Sequence, residues 1–281
     1  MTMVALGAIV GLLYTFQEKL IYFPSGYPEP LLAAVQPRVV RLDYTITVQQ
    51  KQWKQTAFYM PPQGDPKRAP GFIWVCFNGN ADTALGWLRF LETMDFADNA
   101  FLLVDYPGYG LCEGRPSPDV ILQSSKSAVG TLGKWLKEQG IKGSRGVGGL
   151  GFSLGSGACM QWAASYPYVK RVILLGPFTS TSDMARKQMG WPLYLLLRHH
   201  FNNDARLMEM MEWEEPPDVA VVLGTRDSVI PPEMSRKLAG MDKRVKLLEI
   251  EGAGHNDLLS IGGEEIHRLI TRGVQQKGQN L

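Results

Sequence analysis

Apolar residues fall along this chain in two distinct rhythms. Over residues 39–48 they alternate, with Val40, Leu42, Tyr44, Ile46 and Val48 on one parity. A period of two marks a strand with one buried face. Residues 53–60, closed by Pro61 and Pro62, read as its hairpin partner. From Phe72 the rhythm changes. Phe72, Ile73, Trp74, Val75, Cys76 and Phe77 form a continuous apolar run, and short runs recur at 100–104, 146–152, 172–175, 219–223 and 245–250. Such runs predict strands covered on both faces, as in a parallel sheet. Helical stretches at 84–95, 118–139, 154–165, 232–239 and 258–274 separate them. The alternation predicts an α/β fold: a mostly parallel central sheet with helices on both faces and an antiparallel N-terminal edge.

Two segments depart from this alternation. Residues 176–215 separate two predicted strands and carry Trp191, Leu193, Tyr194, Leu195, Leu196, Leu197, Phe201, Met208, Met210 and Met211. That is too much apolar material for a bare loop. It reads as one or two helices capping the carboxyl ends of the strands, the alternative being a long crossover helix. Residues 1–16 carry no charge, and Gln17, Glu18 and Lys19 end the run. A bilayer span needs about 20 apolar residues, so the run is short for one, although Leu20, Ile21, Tyr22 and Phe23 extend it past a Lys that can snorkel. No basic region precedes it, as a secretory signal requires. The expected organisation is an N-terminal apolar helix over 1–23 that contacts a membrane, on an undefined side, and one domain over 24–281. A helix packed on a soluble, cytoplasmic body and a processed segment are the alternatives.

The candidate chemistry begins at Gly151-Phe152-Ser153-Leu154-Gly155, a G-x-S-x-G pattern between a predicted strand and a predicted helix. A nucleophile on such a turn needs flanking glycines because the backbone is strained and crowded. The same position also suits a plain helix cap. A serine nucleophile needs a base, and the base an orienting acid. Asp227 follows the strand at 219–223, and His255 follows the last strand; both lie where the site of an open α/β sheet belongs. Asp257 suits a cap of the final helix instead, and His199, His200 and His267 suit packing or surface roles. Two backbone amides are expected to hold an oxyanion: Leu154, after the nucleophile, and Asn80 in the Asn78-Gly79-Asn80-Ala81-Asp82 turn.

Composition narrows the classes. A formal net charge of +2 gives no broad basic face, which argues against nucleic-acid binding. Three cysteines build no disulfide framework, and the four histidines lack ligand spacing, so neither a structural metal nor a cofactor is expected.

These motifs resemble the α/β-hydrolase superfamily, and most closely its Bem46-like branch. Members commonly read His-Gly-Asn-Ala where this chain has Asn78-Gly79-Asn80-Ala81, and Asp-Tyr-Arg-Gly-Tyr-Gly where it has Asp105-Tyr106-Pro107-Gly108-Tyr109-Gly110. Gly114-Arg115-Pro116-Ser117, the elbow from Gly151 to Gly157, Pro177-Phe178-Thr179-Ser180 and the closing Gly252 to Asp257 also match. Asn78 stands where the family usually has His, and Pro107 where Arg is common. The resemblance implies a serine hydrolase of carboxylic esters or thioesters, with an acyl or lipid-like substrate; a monomer is expected. Ala81, Trp191, Leu195 and Leu196 are expected to line its pocket. A serine aminopeptidase or amidase, and a non-catalytic scaffold on the same fold, are the competing expectations.

Overall fold

The computed structural model describes residue 11 and residues 17–19, 21–35, 38–189 and 193–272. Most of the N-terminal run expected to contact a membrane lies outside the described residues. No helix among the described residues is long and apolar enough to cross a membrane.

The alternating segment forms β1 (Val40–Val48), which pairs antiparallel with β2 (Lys51–Met60). The two-residue connection puts both Gln49 and Gln50 at positive φ, the twist a tight hairpin requires. On β1, Leu42 and Ile46 are buried, as the parity predicts. β2 then pairs antiparallel with β4 (Asn99–Val104). The remaining strands, β3 (Phe72–Phe77), β5 (Val147–Phe152), β6 (Val169–Leu175), β7 (Asp218–Gly224) and β8 (Lys246–Ile250), run parallel to their neighbours. The order is β1-β2-β4-β3-β5-β6-β7-β8.

The continuous apolar runs divide residue by residue between two cores. On β4, Ala100, Leu102 and Val104 face one core while Phe101 and Leu103 face the other. Val219 and Val221 of β7 face the first, and Ala220 and Val222 the second. The helices supply the covers. α1 (Glu29–Val35), α2 (Leu88–Leu91), α8 (Leu258–Ile261) and α9 (Gly263–Arg272) contribute to the second core. α3 (Pro118–Glu138), α4 (Leu154–Ala163) and α7 (Pro232–Ala239) contribute to the first. Arg171 closes the far end of α9: its guanidinium lies over Phe72 and Trp74 and donates to the carbonyls of Leu269 and Ile270. A cation suits those terminal carbonyls, where the helix dipole is negative.

The segment 176–215 holds α5 (Thr181–Met189), a 3-10 turn at Leu193–Leu196 and α6 (Asn203–Met211). A bridge between Ser180 and Asn202 ties its two ends. Two expected helices differ from the pattern. The stretch 84–95 is a 3-10 turn, Ala84–Trp87, followed by the single turn of α2. The C-terminal helix breaks into α8 and α9 at Gly262, where a Cβ would meet Ile250 at 2.8 Å.

The strand order reverses around β3 and β5, whose chains leave in opposite directions along the sheet. That crevice, at the carboxyl ends, is the binding position of an open α/β sheet. Phe77 pairs with both Val104 and Gly151, so the turn after β3, the loop after β4 and the turn after β5 lie side by side. Asp105, one residue past β4, is buried there. Its carboxylate accepts from Tyr27 Oη at 2.5 Å and from the Ala84 N–H at 2.8 Å.

Burial pushes the Asp105 carboxyl up to about 7, with the Tyr27 and Ala84 bonds opposing the rise. In the unfolded chain the same group ionises near 3.8. Between those values the native state keeps a proton that the unfolded state has lost, so native stability declines as pH rises and then levels off above the folded value. Asn keeps the acceptor for Ala84 without an ionisable group. Asp105→Asn is therefore expected to gain Tm over the wild type progressively across this window, as read by thermal melts in a pH series. A difference that is flat or shrinks with rising pH contradicts the assignment.

Candidate active site

Ser153 sits between β5 and α4 with φ 55° and ψ −120°. A non-glycine residue rarely takes this backbone, and it persists only where the surroundings hold it. Here they do. The Ser153 N–H donates to Leu175 O at 2.9 Å, and the Ser153 carbonyl accepts from the Ser156 N–H at 2.9 Å and from Ser156 Oγ at 2.6 Å. Ser156, the neighbouring hydroxyl, is thus a buried brace for the turn. The flanking glycines answer to space. A Cβ on Gly151 would lie 2.5 Å from Gly155 O, and one on Gly155 would lie 2.1 Å from Phe77 O. Without side chains, α4 can start directly against the end of β3.

The structure brings Ser153, His255 and Asp227 together from three loops. Ser153 Oγ is 2.8 Å from His255 Nε2, and His255 Nδ1 is 2.6 Å from Asp227 Oδ2. Asp227 is fixed in turn, because Oδ1 accepts from the N–H groups of Val229 at 2.9 Å and Ile230 at 2.8 Å. A carboxylate can only accept, so Nδ1 carries the proton and Nε2 presents its lone pair to the serine hydroxyl. All three side chains are buried. The Phe152 ring lies 5.0 Å from the imidazole, and Gly176 leaves room beside His255 Cε1. Asp257 accepts from the Gly254 N–H at 2.6 Å and so closes the His255 loop; its side chain makes no cap bond to α8.

The turn after β3 packs on the same elbow. A Cβ on Gly79 would meet Phe152 at 2.8 Å and lie 3.7 Å from the Ser153 Cβ. Asn78 Nδ2 donates to Asp82 O at 2.8 Å, and Tyr106 Oη donates to Asn78 O at 2.6 Å. Among the described residues, neither the Asn80 nor the Leu154 backbone N–H has an acceptor.

The expected pocket residues separate. Ala81 lies in the same turn, at φ 60°. Leu196 is half-buried, whereas Leu195 is 63% exposed and turns its side chain to solvent. A single 3-10 turn cannot point consecutive side chains to one side. Trp191 lies outside the described residues. Phe201, Leu207, Met210 and Met211 are buried in one core with Leu154 and Phe178, so they pack the 176–215 segment onto the body. Asn203, wholly buried, joins cap to elbow by donating to Phe178 O at 2.8 Å and lying 3.4 Å from Ser156 Oγ. His199 is buried against Tyr22, and His267 Nε2 bonds Asp95 O; His200 is an exposed residue near Ser182. Among the described residues no group of three or more His, Cys, Asp or Glu side chains is placed to hold a metal. A cavity of about 390 Å³, bounded by Ile73, Leu132, Gly146 and Lys170, opens at the amino ends of the strands and belongs to a different region.

The pattern along the chain did not reveal the part played by residues 17–27. Gln17 Nε2 donates to Leu196 O at 3.2 Å and its Oε1 accepts from the Arg198 N–H at 2.6 Å. Asn80 bonds Ile21 and Phe23, and Tyr27 bonds Asp105. These partners lie far apart in sequence and leave no periodic signal.

No protein-family profile matches the chain. It is 27% identical over 275 residues to the uncharacterized protein Rv2307c of Mycobacterium tuberculosis, covering 96% of this chain and 92% of that protein. It is 24% identical over 192 residues to the uncharacterized protein YfhR of Salmonella typhi, covering 65% and 63%. Among solved structures, an alpha-beta hydrolase from Vibrio vulnificus superposes with a TM-score of 0.63 at 14% identity, over 95% of this chain and 94% of that one. The Pyrococcus furiosus esterase Pf2001 gives 0.61 at 15% identity, over 90% and 94%. The chain has the α/β-hydrolase fold, as the resemblance implied.

Proposed function

We propose that the protein is a serine hydrolase that cleaves carboxylic esters or thioesters through an acyl-enzyme. The observation that carries this reading is the buried hydrogen-bonded chain from Ser153 through His255 to Asp227, built on a serine held at positive φ. Esterases and other hydrolases among the structures of the same fold support it.

In this reading Ser153 Oγ attacks the carbonyl carbon while His255 Nε2 takes its proton. Asp227 stabilises the imidazolium without taking the proton itself. The Asn80 and Leu154 amides hold the oxyanion. Collapse expels the leaving group, which receives the proton from His255. Water, deprotonated by His255, then attacks the acyl-enzyme, and the second collapse returns Ser153 and frees the acid.

An apolar acyl chain suits the surroundings, because Leu154 is apolar and Phe178 and Phe201 pack against Gly157 just past the elbow. Phe23 and Leu195 are exposed, and Gln17 bonds the segment carrying Leu195 through the Leu196 carbonyl. We read the uncharged run of residues 1–16 as a segment that contacts a membrane, on a monomeric enzyme.

Two experiments test the proposal. Ser153→Ala is expected to lower ester turnover roughly 10⁵-fold, and Asp227→Asn about 10⁴-fold, with both proteins folded by circular dichroism. Turnover of Ser153→Ala above about one per cent of wild type removes Ser153 as the nucleophile. Across p-nitrophenyl esters of about two to sixteen carbons, each buried methylene adds roughly 0.8 kcal/mol, or about fourfold in kcat/KM. The expected optimum lies at about eight carbons or longer, with Leu196→Asn lowering the long-chain end selectively. A monotonic fall from acetate onward contradicts an acyl-binding site.

A further inference from the structure

An oxyanion amide is useful only if its direction is fixed before the charge develops. Leu154 meets that need as the first residue of a helix. Asn80 lies in a turn with no regular structure, beside Ala81 at φ 60°. Something outside the turn has to hold it.

The Asn80 side chain is where that hold converges. Its Oδ1 accepts from Tyr109 Oη at 2.8 Å, from the Phe23 N–H at 3.0 Å and from the Ala81 N–H at 3.1 Å. Its Nδ2 donates to Ile21 O at 2.6 Å. Ser25 Oγ adds a bond to Ala81 O at 3.2 Å, and Ser25 O accepts from the Gly110 N–H at 2.8 Å. Residues 21–25 therefore form a strap lying across the turn after β3 and the loop after β4. The carboxamide engages the Ala81 N–H, while the Asn80 N–H stays without an acceptor among the described residues.

We propose that the Asn80 carboxamide is a positioning residue for the oxyanion site, held by the Tyr109 hydroxyl and by the strap at 21–25. This rests on the hydrolase reading above. The side chain touches no reacting atom; it acts by fixing the Asn80–Ala81 peptide. The strap also reaches the 176–215 segment through Tyr22 Oη, 3.2 Å from His199 Nδ1, and Gln17 bonds the same segment at Leu196 and Arg198. Residues preceding the sheet are thus part of the catalytic geometry.

The test uses the full chain, with active sites counted by fluorophosphonate titration. Asn80→Ala is expected to lower kcat per active site by about 10- to 100-fold and to weaken a trifluoromethyl ketone inhibitor in parallel, with KM changing less than about threefold. Tyr109→Phe is expected to lower kcat per site about threefold, and the double variant to be no slower than Asn80→Ala, because the two groups act as one unit. A purely structural role would reduce Tm or the fraction of active sites and leave kcat per site and inhibitor affinity unchanged; that result overturns the proposal. If Asn80→Ala fails to fold, Tyr109→Phe decides alone, and an unchanged kcat and inhibitor affinity overturn it. A wild-type protein that takes no label and turns over no ester overturns the hydrolase reading and this one with it. Active wild type with unaffected variants overturns this one only.

Discussion

The organisation of the site depends on one backbone conformation, the positive φ of Ser153. A non-glycine residue held there costs on the order of 1–3 kcal/mol. The surrounding structure offsets that cost. Leu175 O takes the Ser153 N–H, Ser156 braces its carbonyl twice, and the missing side chains of Gly151 and Gly155 let α4 abut β3. Relaxing this turn to an ordinary helix start would move Oγ away from His255 Nε2. The elbow is therefore over-determined from the body of the sheet, on residues that take no part in the chemistry.

The remaining groups arrive by alignment of strand ends. Leu175 pairs with Phe152 and Val222, and Gly224 with Ile250, so the loops after β7 and β8 start level with each other and about two residues beyond the end of β5. His255 needs only to reach between two fixed groups. Asp227 is fixed by two amides of its own loop, which settles the tautomer of the imidazole. Burial keeps the chain of hydrogen bonds out of competition with water, where such bonds carry more electrostatic weight. The segment 176–215 and the strap pack on the same body. Tyr22, Phe201, Leu207, Met210 and Met211 from these segments join the first core, so they add to the packing that stabilises the fold.

Local chemistry made much of this legible. The parity of Leu42 and Ile46, the continuous runs of β3 and β4, and the glycine-flanked serine between strand and helix each reflect an interaction within a few residues. So do Asp227 and His255, which follow strands. Less local features were hidden. β2 starts at Lys51 because Gln49 and Gln50 both adopt positive φ, without the Asn or Gly that advertises such a turn. The prolines at 24, 28 and 30 give no helical signal, yet α1 begins at Glu29 and buries Val35 in the second core. At the break, Gly262 lies where a Cβ would meet Ile250 across the fold. The bonds of Asn80 to Ile21, Phe23 and Tyr109 join segments whose proximity only the tertiary structure creates.

The most direct measurement is covalent: full-length protein treated with a fluorophosphonate, then intact mass and peptide mapping. The account predicts one phosphonyl group per chain, carried by the peptide containing Ser153, and none on the folded Ser153→Ala protein. A folded wild-type protein that takes no label, or one labelled on another residue, would contradict it.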